Sequence, residues 1–167
     1  MSLVIEDGSI VQGASSYVTR TEFIGYAAMQ GVAIPNTEAA DFLLVRSAQF
    51  IDSHEPTLRG SRVSRGQHMA FPRSDLEIEG FFWADDEIPR QVILCQMHLA
   101  LDLHAGIDIY NPEPQLIVKR ERVEGAVEVE YFGEGTPVKL GRASRSRALL
   151  SALLRQSGLR VIALERA

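Results

Sequence analysis

The stretch "IPRQVILCQMHLALDLH", Ile88 to His104, constrains this chain more than any other. Pro89 suits the first turn of a helix, and Val92, Ile93, Gln96, Leu99, Ala100 and Leu103 then continue one face to about Ala105. The remaining faces are apolar too. A helix that is apolar nearly all round is stable in water only when other elements surround it. The segment therefore predicts the central helix of a small bundle, and 167 residues at 46% hydrophobic hold material for one such core rather than two catalytic domains.

Shorter signals supply its neighbours. In "SSYVTRTEFIGYAAMQG", Thr19 and Glu22 have capping-box spacing, Phe23, Tyr26 and Ala27 share a face, and Gly31 is a stop, which predicts a short first helix. A second helix of about five turns starts at a cap on Asn36 or Thr37 and carries Ala40, Leu43, Leu44, Ser47, Phe50 and Ile51 at helical spacing before Pro56. From Thr57 to Glu87 nothing is periodic, which reads as a loop of roughly thirty residues, long for a compact domain. After the third helix the period shortens. Ile117, Lys119, Glu121 and Val123, then Val127, Val129 and Tyr131, alternate across an "EGA" turn as in a β-hairpin. A last helix runs from Ser144 to Ser157 with Gly158 closing it, followed by an extended tail. The expected fold is mainly α: a small helical bundle with a long central loop, one β-hairpin and an extended C-terminal tail. Residues 1–138 form its core and 139–167 a basic helix and docking tail, either in the same domain or as an extension.

A net charge of −5 argues against a protein that coats nucleic acid through its overall charge. The charge is unevenly spread. Residues 1–138 carry ten Lys/Arg against 21 Asp/Glu, whereas residues 139–167 carry seven against one. Such a tail suits docking on an acidic partner or on phosphate. The lone Cys95 excludes an intrachain disulfide, and no apolar run approaches the roughly 18 residues of a membrane span. The acidic N-terminus lacks the basic start of a signal peptide, so synthesis in the cytoplasm is expected.

Catalytic patterns are scarce. His98 and His104 are six apart on a helix, which does not align them as metal ligands, and they read as one core and one surface histidine. Asp85, Asp86 and Glu87 stand where acids satisfy a helix dipole and its free N–H groups. No acid, base and nucleophile converge, so neither an enzyme nor a cofactor or metal is expected. Two constellations carry more. Arg59, Arg62, Arg65, His68 and Arg73, with no acid between Pro56 and Ser74, precede Phe81, Phe82 and Trp83. Arginines interleaved with aromatics can grip single-stranded nucleic acid, or the aromatics can fold back as a lid while the arginines meet solvent or a neighbouring subunit. The second is the basic helix, whose Arg142, Arg145, Arg147 and Arg155 accompany a leucine face of Leu149, Leu150, Leu153 and Leu154. It can dock on a protein or pack on its own domain.

In order, "VIEDGSIVQGASSYVT", "RSAQFIDS", "RGSRVSRGQHMAFPRS", "IPRQVILCQMHLALDL" and "VKRERVEGAVEVEYF" span most of residues 4 to 132. Together they resemble the family labelled DnaT-like single-stranded DNA-binding protein in tailed-phage genomes, which is similar to head-to-tail adaptor (connector) proteins. Phe71 stands where that pattern commonly has tryptophan.

The resemblance implies a structural adaptor in the virion neck. It would form a homo-oligomeric ring, commonly of twelve copies, under the portal protein, receive a tail or stopper protein, and pass double-stranded DNA without sequence specificity. On that reading Arg142, Arg145, Arg147, Leu149, Leu150, Leu153, Leu154, Arg155, Val161 and Ile162 dock on the portal. Arg59, Arg62, Arg65 and Arg73 contact a subunit or DNA, and Phe71, Phe81, Phe82 and Trp83 form a structural plug that anchors the loop. The competing expectation is a replication protein that binds single-stranded DNA through the basic loop.

Overall fold

The structure, a computed structural model, describes residues 3–110 and 144–155. Among them the chain is mainly helical, as expected. Helices α1 (Arg20–Met29), α2 (Glu38–Ser53), α3 (Arg90–His104) and α4 (Ser144–Leu153) account for most of the regular structure. The expected hairpin at 117–131 and the end of the chain lie outside the described residues.

The start of α1 is a reciprocal capping box. Thr19 Oγ1 accepts the Glu22 N–H at 3.2 Å, and Glu22 Oε2 accepts the Thr19 N–H at 2.9 Å, so two otherwise free donors are satisfied. The helix stops where Gly31 takes a φ of +75°, as its sequence implied. In α2, Ala40, Leu44, Ser47, Ala48 and Ile51 turn inward at helical spacing. Its buried Asp41 is met by an ion pair with Arg20 of α1, which prevents an uncompensated charge at that contact.

Helix α3 is central, packed against α1, α2 and α4. Gln96, in its middle, is buried and fully used: Oε1 accepts the Tyr17 N–H at 3.0 Å, while Nε2 donates to Ser16 Oγ at 2.7 Å and to the Leu44 carbonyl at 2.9 Å. One amide thereby joins the N-terminal segment and α2 to α3. Pro89 is the N-cap and no side chain caps the first turn, so the expected capping by Asp85, Asp86 and Glu87 is corrected. Those acids end too far upstream. The Asp86 carbonyl lies instead against Gly8, where a Cβ would come within 1.9 Å of its oxygen.

The stretch from Thr57 to Glu87 is not the structureless loop that its lack of period implied. It holds two antiparallel ribbons, β1 (Ser61–Arg62) with β2 (Arg73–Ser74), and β3 (Glu77–Ile78) with β4 (Phe81–Phe82). Two residues per strand are too few to write an alternation. The stretch is held to the bundle by α4, whose end makes backbone hydrogen bonds from Arg59 N–H to the Leu153 carbonyl and from Arg155 N–H to the Thr57 carbonyl, at 2.9 and 2.8 Å.

Candidate nucleic-acid interface

Phe71 is fully buried and meets Tyr17 edge to face at 6.1 Å. Trp83 packs partly buried against the core, and its backbone N–H donates to the Leu76 carbonyl at 2.9 Å. Phe81 and Phe82 behave otherwise. They are 72% and 77% exposed, which corrects their assignment to the plug. Phe82 pairs with the exposed Glu77 and Phe81 with Ile78, so the two rings stand on opposite faces of the ribbon, of which only Leu76 and Ile78 reach the core. Gly80, at φ +83°, and Glu79, at φ +54°, make the tight turn that presents them.

The basic loop is also redistributed. Arg73 is 4% exposed and donates to the carbonyls of Arg59, Ala70 and Gly60 at 2.6, 3.2 and 3.1 Å. Arg59 donates to the carbonyls of Leu154 and Glu77, and Arg62 is ion-paired with Glu55. The reason is that β1 and β2 are too short to satisfy their flanking carbonyls, and guanidinium forks satisfy several at once. Arg65 alone of the four is exposed with no hydrogen-bond or ion-pair partner among the described residues.

Helix α4 departs equally from the docking-arm expectation. Leu150 and Leu153 are buried in the core, with Leu149 and Leu154 packed against it, so the leucine face is spent on its own bundle. Arg155 donates to the carbonyls of Leu58 and Gly60. Arg142, Val161 and Ile162 lie outside the described residues.

A groove of about 510 Å³ runs between α1, α3 and α4 and is bordered by the β3–β4 turn through Glu79. Arg90, Leu94 and His98 line it as an i, i+4, i+8 stripe of α3, while Tyr26 comes from α1 and Arg145 from α4. The Tyr26 hydroxyl and His98 Nε2 are hydrogen-bonded at 2.8 Å, with the rings edge to face. Burial, and secondarily the Arg145 charge, hold His98 below the usual imidazole range. Neither Arg90 nor Arg145 has an ion-pair partner among the described residues. Beside them Gln91 Oε1 is buried with no hydrogen-bond partner among the described residues, an acceptor that a ligand's N–H or O–H can satisfy. Sequence reasoning missed Tyr26, Arg90 and Gln91, because two elements far apart in the chain, α1 and α3, contribute them. The four-residue spacing of Arg90, Leu94 and His98 was the one available signal.

These features offer anionic and planar-ring recognition. Two guanidiniums without an ion-pair partner among the described residues suit phosphate, and two exposed rings, one on each face of the ribbon, suit stacking. Burial pushes the Cys95 thiol up to about 12, so it is no nucleophile at neutral pH. Among the described residues no group of three or more His, Cys, Asp or Glu can hold a metal ion, and no helix is long and apolar enough to cross a membrane.

A family model described as "Putative DnaT-like ssDNA binding protein" matches residues 1–167, and the chain belongs to that family. No curated protein and no solved structure matches it. The family description names single-stranded DNA and no connector. It overturns the head-to-tail adaptor assignment, and with it the ring under the portal, the portal and tail or stopper partners, and the passage of double-stranded DNA. The leucine face assigned to the portal is the same one that α4 buries.

Proposed function

We propose that the protein binds single-stranded DNA in replication, as a binding protein without catalysis of its own. The single observation that carries this reading is the exposure of Phe81 and Phe82, neighbours in sequence that stand one on each face of a tight ribbon. Burying such a ring is worth about 1.5–3 kcal/mol, so two left in water on one short ribbon mark a segment made for a partner. A nucleobase fits, since stacking on an aromatic side chain is worth about 1–3 kcal/mol per base and is indifferent to sequence. The groove beside the ribbon supplies what the backbone needs. Arg90 and Arg145 meet phosphates, and Arg65 adds a further cation on the neighbouring ribbon. Family membership supports the same reading.

The acidic balance of the chain shapes the expected behaviour. With a net charge of −5, long-range attraction is absent, and binding depends on a few close cations. Two or three phosphates neutralised give a log–log salt slope of roughly −2 for a single strand. The test is fluorescence anisotropy with a labelled oligothymidylate and with a duplex of the same length, over a range of salt. Single-strand binding with that shallow slope, and weaker duplex binding, supports the proposal. Equal affinity for duplex, or no binding at low salt, overturns it.

A further inference from the structure

Helix α4 is a ridge with a groove on each side. Arg145, Ala148 and Leu149 border the groove already described, whereas Arg147, Leu150 and Leu154 border a second one of about 510 Å³. Residues two apart on a helix are separated by about 200° of rotation, so the two arginines of the first turn necessarily serve opposite sides. The far wall of the second groove is aromatic. Phe50 is its nearly buried floor, Tyr110 meets Phe50 edge to face at 5.2 Å, and His54 tilts against Phe50 at 4.8 Å. Tyr110 is 51% exposed and its hydroxyl donates to the Arg46 carbonyl at 3.4 Å, which fixes the ring while leaving half its surface open. Arg147 has no hydrogen-bond or ion-pair partner among the described residues, and no acid lines the groove.

We propose that this second groove takes one nucleotide unit of single-stranded nucleic acid, its base against Tyr110 and Phe50 and its phosphate on Arg147. The proposal rests on the reading that the ligand is single-stranded DNA, and adds a contact on the other flank of α4. An open ring beside a guanidinium that has no ion-pair partner among the described residues, and whose charge otherwise acts only at longer range on Asp102, is the combination that a nucleotide satisfies and that a purely apolar ligand does not. The groove complements both parts of the unit. Its apolar floor excludes water from the base, and its lone cation meets the one group that carries charge.

The experiment uses the full chain with ¹³C-labelled Tyr, His and Phe rings, titrated with thymidine 5′-monophosphate, with thymidine, and with an oligothymidylate. The nucleotide is expected to shift the Tyr110 and His54 resonances, and Arg147→Gln to weaken that response about tenfold toward the level of thymidine, the size of one charge-assisted contact. Tyr110→Leu should abolish the His54 shift, and unchanged signals from Phe23 and Phe71 verify that each variant is folded. If the oligonucleotide moves Phe81 and Phe82 but neither probe moves Tyr110, this inference fails and the main reading stands. If the mononucleotide moves Tyr110 while the oligonucleotide leaves Phe81 and Phe82 untouched, the second groove stands and the stacking platform falls. No shift at either place overturns both.

Discussion

The Tyr17 hydroxyl donates to Asp52 Oδ1 at 2.6 Å and accepts the Phe71 N–H at 3.2 Å. One buried group thus ties α2 to the segment that closes β1 and β2, and Asp52 completes the circuit by accepting the Ala70 N–H at 3.1 Å. Desolvation and the neighbouring carboxylate push the Tyr17 hydroxyl well above its usual range, so it stays a donor at all ordinary pH. Tyr17→Phe leaves a buried carboxylate and a buried N–H each short of a partner. The expected loss is about 2 kcal/mol, read as a lower urea midpoint with an unchanged slope; an unshifted midpoint contradicts the role given to this contact.

Arg73 and Arg65 sit eight residues apart in the same basic stretch and should behave oppositely. Arg73→Ala strips three carbonyls of their donor and should cost about 3 kcal/mol. Arg65→Ala removes an exposed side chain and should leave stability within about 0.5 kcal/mol while weakening oligonucleotide binding at low salt. Thermal melts and anisotropy on the two variants separate these outcomes.

Leu153 is fully buried where α4 meets the bundle. Leu153→Ala should therefore destabilise the whole domain by about 2–5 kcal/mol, seen as one cooperative transition at lower denaturant. A variant with wild-type stability, or an early transition confined to α4, shows that the helix is an appendage instead.

His98 supplies the pH dependence. Its folded value is depressed, so the neutral ring is the form the fold prefers. That stability is present above the unfolded imidazole value near 6.5 and is lost as pH falls through the folded one. Wild type should weaken relative to His98→Gln as pH is lowered from about 7. Burial is the larger cause and Arg145 the smaller, so Arg145→Gln should raise the His98 value only part of the way, as measured by NMR titration of the ring. A phosphate bound between them should raise it further.

Much of the bundle was readable because its signals are local or periodic. Thr19 and Glu22 announce α1, and the all-round apolar run from Val92 to Leu103 announces a surrounded helix. What failed depended on contacts between distant segments. Nothing local distinguishes Arg73 from Arg65, since burial of the first is decided by carbonyls of Arg59 and Gly60 across a two-residue ladder. Phe82 and Trp83 are neighbours in sequence and differ because Leu76 and Ile78 claim the inward side of the ribbon. The leucines of α4 suit a partner as well as they suit α3, and sequence holds no term that chooses between them. The groove escaped for the same reason: Tyr26, His98 and Arg145 are spread over more than a hundred residues of chain.

The most direct test of the central claim is the affinity of the Phe81→Ser, Phe82→Ser double variant for an oligothymidylate, measured by anisotropy beside a denaturation curve of the same protein. The rings contribute little to the core, so the curve should match wild type. Affinity should fall by a factor of ten or more, corresponding to loss of one or two stacked bases at about 1–3 kcal/mol each. A stable double variant that binds single-stranded DNA as tightly as wild type contradicts the account.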